Sequence, residues 1–338
     1  MTPPEDTSVL EESENNNLME GRYSLVSQIK GSIGGTKIEL GARGACRYCG
    51  VTNGRYRKVA HTFPVALGNR WVTSKDECDA CNERFSKYED ALVKALGSIL
   101  TLSGFKGRDG KIRQTGRSSG PVVLRRDDNG DQPHIQVQVN GESFGGGWAM
   151  NPSTGMIILP VPVPNEPFVP RFAYKALVKM AIALMPAEEL VHYTKLLRWI
   201  QEVDDKEPFT FLEVGLSFAV VGQAMPLVAA TLLRRVDPTD VVPHMIFAFC
   251  AGPICFQIDL MSDSLEDHIP PVFTPVLKAL HTVILADDDG NSPITIEYPL
   301  LGTLNWASDK SAPPPIEKIK LHINTRTNSA RFEPILRR

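Results

Sequence analysis

Two pairs of cysteines constrain the fold of this chain more than any other feature of its sequence. Cys46 and Cys49 form one CxxC pair, and Cys78 and Cys81 form a second, with 28 residues between the pairs. Four thiolates at this spacing suit a tetrahedral zinc site in which no coordination position stays open. A small, loop-rich unit gains from such a cross-link because it buries too little apolar surface on its own. The spacing therefore predicts a zinc module closed by these four residues.

The charge of the chain is distributed unevenly. The net charge is −3, but residues 40–126 hold 17 basic and 7 acidic residues, whereas the remainder holds 19 and 32. A basic block in an otherwise acidic chain favours contact with a polyanion, although each side chain taken singly could be only a solvated charge. The residues expected to contact the phosphates of such a polyanion, without reading sequence, are Arg55, Arg57, Lys58, Arg70, Arg84, Lys106, Arg108, Lys111 and Arg113.

A further motif is interleaved with the cysteine pairs. His61 is followed by Pro64, and Asn82 directly follows the second pair, where a helix reaching Leu96 is expected to begin. Together with the cysteines, this pattern resembles the HNH endonuclease family over about residues 43–113. The resemblance implies a treble-clef-like ββα-metal module that cleaves DNA.

The resemblance also implies roles for individual residues. His61 matches the general base that activates a water molecule against the scissile phosphate, and Asn82 matches the helix residue that binds a catalytic Mg²⁺ or Mn²⁺ ion. Asn69 would either orient His61 or hold the intervening loop. Structural alternatives compete with two of these roles: His61 could bond to a backbone carbonyl, and Asn82 could serve as a helix N-cap.

One position departs from the family pattern. Many HNH enzymes carry Asp or His directly before the catalytic histidine as a metal ligand, whereas this chain has Ala60. Another side chain must then replace that ligand, and the candidates are Glu89, Asp90 and Glu77. A solvated helix face is the competing interpretation for Glu89 and Asp90.

The chain is expected to be α+β throughout, in three parts. Residues 1–22 form a flexible acidic tail, 23–118 form the nuclease domain with its four-cysteine zinc site, and 119–338 form a larger regulatory, sensing or oligomerisation domain. Apolar residues at helical spacing predict a helix over Phe172–Met185 and a second from Pro186 to about Val203. Strands are predicted at Val122–Leu124, Ile135–Val139, Met156–Val163, Leu227–Leu233, Met245–Cys250, Cys255–Leu260, Thr282–Leu285, Ile294–Tyr298 and Ile319–Ile323.

The sequence predicts a cytoplasmic protein without a membrane segment. Met1–Glu20 holds six acidic residues and no basic one, unlike a secretory signal. The longest apolar stretch, Met245–Leu260, is broken by a Gly-Pro pair and predicts a buried hairpin. In the cytoplasm the cysteines are expected to be reduced, with Cys250 and Cys255 as core residues rather than ligands or disulfide partners.

The leading hypothesis is a metal-dependent endonuclease that hydrolyses DNA with low sequence specificity. Two alternatives stay open. One is an effector gated by a cyclic-nucleotide-type ligand or a protein activator bound to 119–338, as in bacterial anti-phage effectors that join such a nuclease to a sensor. The other is a zinc module that binds DNA without cleaving it. Assembly into homo-oligomers and a role in phage defence follow only from family analogy.

Overall fold

The computed structural model describes residues 21–32, 37–107, 109–116, 122–128, 134–139, 149–162, 166–201, 212–218, 227–260, 262, 264–265, 282–285, 294–297, 300–327 and 329–337. The predictions made for residues 1–20 and for Arg108 lie outside these ranges. Within them the chain combines helices with largely antiparallel sheets, which confirms the predicted α+β class. No helix in the described part of the chain has the length and apolar character needed to cross a membrane.

The region around the cysteines folds into a small sheet followed by a long helix. After β1 (Tyr23–Ser32), the short strands β2 (Ile38–Leu40), β3 (Ala60–His61) and β4 (Val72–Ser74) form a sheet in the order β2-β4-β3. Strand β4 runs antiparallel to β3 and parallel to β2. Helix α1 (Asp79–Leu96) follows, and its buried side carries the apolar residues of the module. The β3-β4-α1 succession is the ββα arrangement expected from the sequence.

A short helix and a hairpin extend this module. Helix α2 (Ser98–Leu102) packs against β5 (Val122–Asp127), which pairs with β6 (His134–Val139). The guanidinium of Arg126 donates to the Leu102 carbonyl and pairs with Asp128. The hairpin therefore contacts the zinc module, although the sequence placed it beyond a boundary at residue 118.

The largest sheet lies in the second half of the chain and is antiparallel. Its further strands are β9 (Glu213–Phe218), β10 (Leu227–Arg235), β11 (Met245–Ala251), β12 (Ile254–Leu260) and β15 (Leu300–Asn305). With β1 at one edge, the order is β1-β10-β11-β12-β9-β15. Every residue of β11 is buried, because this strand lies inside the sheet with both faces covered. The hairpin predicted over Met245–Leu260 is confirmed.

Strand β1 belongs to the large sheet of the second half of the chain. Its residues pair with β10 along their whole length, from Tyr23 opposite Arg235 to Ser32 opposite Leu227. The segment 23–32 was assigned to the nuclease domain, but its backbone hydrogen bonds are made with a strand some 200 residues later, and an unpaired strand edge favours such an addition.

A second sheet is formed by segments far apart in sequence. Strands β7 (Ala149–Asn151), β8 (Met156–Pro162), β16 (Ile316–Asn324) and β17 (Ser329–Leu336) lie in the order β17-β16-β8-β7. The hairpin of β13 (Thr282–Leu285) with β14 (Ile294–Glu297) is separate.

Helix α3 (Pro170–Leu184) joins the two halves of the molecule, because it contacts both α1 and β12. Its side chains are buried on nearly all sides, which agrees with a strongly apolar sequence. The helix predicted over Phe172–Met185 is confirmed. The second predicted helix is shorter than expected, since a 3-10 helix over Ala187–Tyr193 precedes α4 (Thr194–Gln201).

The expectation for the two C-terminal cysteines was half right. Cys250 and Cys255 are buried core residues, as predicted. They are also joined by a disulfide, whereas the sequence predicted reduced thiols. The reason is their register: they are directly opposite each other on β11 and β12, with Cα atoms 4.0 Å apart.

Candidate zinc centre and adjoining basic cleft

The four N-terminal cysteines converge on one point. The sulfurs of Cys46 and Cys81 lie 3.8 Å apart, as do those of Cys49 and Cys78. All four sulfurs fall within 4.8 Å of one another. Tetrahedral zinc with Zn–S bonds of about 2.3 Å separates its sulfurs by about 3.8 Å. Donor type and spacing both fit, so this cluster can hold a structural zinc ion.

The first cysteine pair is held in a tight turn by backbone hydrogen bonds. The Cys46 N–H donates to the Val51 carbonyl, and the Gly50 N–H donates to the Cys46 carbonyl, both at 2.8 Å. Gly50 has φ of +69°, in the left-handed region that glycine adopts without a Cβ clash. This turn brings the sulfurs of Cys46 and Cys49 to the same side of the backbone.

The second cysteine pair is built into a helix start. Cys78 immediately precedes α1, and Cys81 follows one turn later on the same side. The Asp79 carboxylate accepts the backbone N–H groups of Arg57 and Lys58, each at 2.9 Å. The helix therefore fixes two sulfurs and also anchors the loop that leads into β3.

Hydrogen bonding favours the thiolate form of one cysteine. The side-chain hydrogen bond between Cys46 and Cys81 lowers the pKa of Cys46 to about 4, against the opposing effect of burial. Backbone hydrogen bonds involving Cys49, Cys78 and Tyr48 act in the same direction. Donors around a sulfur also stabilise a metal-bound thiolate, so this environment suits a metal ligand.

His61 and Asn82 line the same open cleft, which has a volume of about 590 Å³. His61 lies on β3 and is half-buried, and Asn82 lies in the first turn of α1. The Asn82 amide nitrogen donates to the Val59 carbonyl at 3.4 Å, which leaves its side-chain oxygen as the other polar group. Lys58 and Arg70 complete the charged lining. The two motif residues are thus brought together beside two positive charges.

Asn69 holds the loop between β3 and β4. It is fully buried, and its side-chain nitrogen donates to the carbonyls of Phe63 and Val72 at 2.9 Å each. Its side-chain oxygen accepts the N–H groups of Val72 at 2.9 Å and Trp71 at 3.3 Å. Of the two roles expected for Asn69, these contacts support the structural one, because they use both ends of the amide. Asn69 does not line the cleft, so we assign it no catalytic role.

The acidic candidates do not line this cleft. Glu89 pairs with Lys179 at 3.0 Å, and Asp90 pairs with Lys94 at 2.7 Å on the exposed side of α1. The geometry of a helix explains this, since Glu89 is about 10 Å further along the axis than Asn82 and Asp90 is rotated further round. In the described part of the chain, the four cysteines are the only group of three or more His, Cys, Asp or Glu residues close enough to share a metal ion.

Most of the predicted phosphate contacts are accessible. Exposed residues are Arg55, Arg57, Lys58, Arg70, Lys106, Lys111 and Arg113, whereas Arg84 is half-buried. Two of them have acidic partners, since Lys58 pairs with Glu83 at 3.0 Å and Arg113 pairs with Glu166 at 2.7 Å. Such exposed pairs contribute little to stability and can exchange their partners readily.

A second cleft, of about 570 Å³, lies along the same basic segment. Its lining includes Lys106 and Lys111, which the sequence indicated, and also Arg125, which it did not. The guanidinium of Arg70, which lines the first cleft, donates to the carbonyl of Gly107, the residue after Lys106 of the second cleft. The adjacent residues Arg125 and Arg126 could have indicated from the sequence that β5 contributes to this cleft, but strand β5 had been assigned to another domain.

Lys179 of α3 lies beneath the histidine strand and was not predicted. It is fully buried and donates to the carbonyls of His61 and Thr62 and to Glu89, and it pairs with Glu77 at 3.4 Å. Burial alone would lower the pKa of Lys179, but Glu77 and Glu89 together outweigh that effect and raise it. Burial also raises the pKa of Glu77 to about 7, against the effect of Lys179.

Neither a family model, nor a curated protein, nor a solved structure matches this chain.

Proposed function

We propose that this protein is a metal-dependent endonuclease that hydrolyses DNA phosphodiester bonds with low sequence specificity. One observation carries the proposal: His61 and Asn82 line a single cleft together with Lys58 and Arg70, beside a cluster of four cysteines. An imidazole, an amide and two positive charges facing one space suit a phosphate group that is attacked by water.

In this proposal His61 acts as the general base. An imidazole has an unperturbed pKa close to neutrality, so it can accept a proton from water as the water oxygen attacks phosphorus. Lys58 and Arg70 bind the non-bridging phosphate oxygens and offset the charge that develops on them. These contacts involve the DNA backbone alone, which explains why low sequence specificity is expected.

The catalytic ion would be Mg²⁺ or Mn²⁺. Asn82 would hold it through its side-chain oxygen, with phosphate and water oxygens as further ligands, because hard cations prefer oxygen donors and Mg²⁺ commonly retains water. When bound, such an ion would offset the negative charge on the reacting phosphate. The zinc cluster has a separate role, since its four protein ligands leave no position for substrate.

The test compares supercoiled plasmid cleavage by the wild-type protein, His61→Ala and the matched control His192→Ala, each with Mg²⁺, Mn²⁺ or EDTA. His192, like His61, is half-buried, and it bonds to Ser264, outside the cleft. Loss of a general base lowers the rate by about 10²–10⁴-fold. We expect that loss in His61→Ala, no loss in the control and no cleavage in EDTA. Equal nicking by the two variants would refute the proposal.

A second candidate function is DNA binding without cleavage. It is favoured by the described lining of the cleft, which includes no carboxylate to replace the ligand missing at Ala60. The measurement that separates the two is DNA affinity at a series of salt concentrations, run alongside the cleavage assay. Salt-sensitive binding without cleavage under any metal supports the second candidate, because phosphate contacts release counterions on binding.

A further inference from the structure

Lys179 makes an unusual set of contacts for a residue on a buried helix. Its ammonium group bonds to the carbonyls of two consecutive residues, His61 and Thr62, at the end of β3. It also bonds to Glu89 on α1 at 3.0 Å. One charged group, contributed by a residue more than a hundred positions later, therefore bridges the strand that carries His61 and the helix that carries Asn82.

Stability alone does not account for a lysine at this position. Replacing a buried charged group together with its partners by apolar residues of similar volume is often neutral or stabilising, although removing one partner alone leaves the others unpaired. Val178, Met180 and Ala183 beside Lys179 on α3 are apolar and buried, so a methionine side chain would suit this part of the helix. What methionine could not do is bind the His61 carbonyl and the Glu89 carboxylate together.

The start of α1 already holds the segment before β3, because the Asp79 carboxylate accepts the N–H groups of Arg57 and Lys58, whereas Lys179 bonds at the other end of the strand. Strand β3 is only two residues long, and it pairs with β4 at Ala60 and His61 alone. Glu89 lies two turns after Asn82 and therefore on nearly the same side of α1. A contact to Glu89 thus acts on the side of the helix from which Asn82 projects.

Helix α3 is itself held by the two residues between Cys46 and Cys49. The guanidinium of Arg47 donates to the carbonyls of Met185 at 2.5 Å and Ile182 at 3.3 Å. The Tyr48 hydroxyl donates to the backbone carbonyl of Lys179 at 3.0 Å. Since both donors lie between Cys46 and Cys49, the position of Lys179 is set by the zinc centre as well.

We propose that Lys179 is a positioning residue, which fixes strand β3 against helix α1 and thereby holds the His61 imidazole in place relative to Asn82. The expected effect of Lys179 on catalysis rests on the proposed nuclease function. The claim that Lys179 holds His61 in place relative to Asn82 does not depend on that function. Lys179 does not line the cleft, so it acts through His61 and not on the substrate.

The experiment compares Lys179→Met with Lys175→Met. Lys175 is a matched control because it is equally buried on the same helix, where it donates to the Trp199 carbonyl at 2.6 Å and lies over the Trp199 ring. We expect Lys179→Met to lower kcat for plasmid cleavage at least tenfold while KM for DNA stays within twofold. Lys175→Met should change neither value by more than twofold.

An activity-independent measurement accompanies the kinetics. Ring ¹⁵N signals of the histidines are recorded in both variants, with the His61 signals identified from His61→Gln. We expect the His61 signals to shift or broaden in Lys179→Met and to stay in place in Lys175→Met. If Lys179→Met does not fold, the variant Lys179→Met/Glu77→Gln/Glu89→Gln takes its place, because it leaves no buried charge unpaired.

The outcomes separate the two proposals. Wild-type protein that leaves DNA intact defeats the nuclease function, while the histidine signals still decide whether Lys179 positions His61. Unchanged His61 signals in the Lys179 variants overturn the positioning role. Equal losses of kcat in the Lys175 and Lys179 variants overturn it too, since they would indicate a general effect of removing a buried amine.

Discussion

His244 is a single buried side chain whose protonation is linked to folding. The Tyr193 hydroxyl lies 2.8 Å from the Nδ1 atom of His244. The Nε2 atom of His244 lies 3.9 Å from the Glu189 carboxylate. Burial lowers the pKa of His244 to about 4, although Glu189 acts in the opposite direction. The unfolded chain therefore binds a proton near pH 6.5, and the folded protein binds it only near pH 4. This contribution to stability is fully present above pH 6.5 and is lost as the pH falls towards 4.

The corresponding measurement is urea unfolding at pH 7 and pH 5. Between these values we expect the wild-type protein to lose about 1–2 kcal/mol more of its free energy of unfolding than His244→Gln does. His134→Gln serves as the control, because His134 is exposed, and it should show the wild-type pH dependence. The same pH dependence in wild type and His244→Gln would contradict this account.

Single residues also show where sequence reasoning succeeds and where it stops. The four cysteines could be assigned because their spacing is local and zinc chemistry accepts few other patterns. Lys179 could not be assigned, because its role exists only once α3 is packed beneath β3. The one available signal was that a lysine recurs after four residues, at 175 and 179, within an apolar helix.

At the scale of elements, we expect a zinc ion held by the four cysteines to keep the start of α1 against the segment that leads into β3. Zinc binding by isolated modules has an apparent free energy of about 10–16 kcal/mol, which is as large as the roughly 5–15 kcal/mol that separates most folded proteins from unfolding. Removal of zinc should therefore open this module first. We expect Cys78→Ser to bind less than half of the zinc found in the wild type and to lose amide-exchange protection at the start of α1.

Cys255→Ser is the control for that experiment. It also replaces a buried cysteine by serine, but at the disulfide on β12. We expect it to retain one zinc per chain, measured by metal analysis of the purified protein. Full zinc occupancy in Cys78→Ser would show that the four sulfurs are not the ligand set.

The elements themselves were predicted unevenly, for a physical reason. Helix α3 and the β11-β12 hairpin follow from apolar periodicity over neighbouring residues. The pairing of β1 with β10 does not follow from such a pattern, because Ser24 and its partner Arg234 are 210 residues apart. The choice between such distant partners is made by the whole fold, and a local pattern carries no information on it.

At the scale of the whole molecule, the zinc module and the larger part share one core. The ring of Tyr88 on α1 lies 5.2 Å from that of Phe172 on α3, and its hydroxyl donates to the Ile200 carbonyl at 2.8 Å. Phe85 contacts Tyr88 within the same apolar cluster. Each large side chain of this kind contributes about 1.5–3 kcal/mol when buried. A module cut away at residue 118 would expose several of them.

We therefore expect a fragment of residues 1–118 to be insoluble, or to melt without a cooperative transition, even with zinc present. Co-expressed with 119–338, a tagged 1–118 fragment should copurify with it, because α3 covers α1 and β10 pairs with β1. The matched control is a fragment of residues 33–118, which lacks β1 and should recover less of the partner piece. A sharp melting transition of 1–118 alone, at the temperature of the intact chain, would show that the zinc module is independent. The contacts between α3 and the His61 strand would then be unnecessary for its fold.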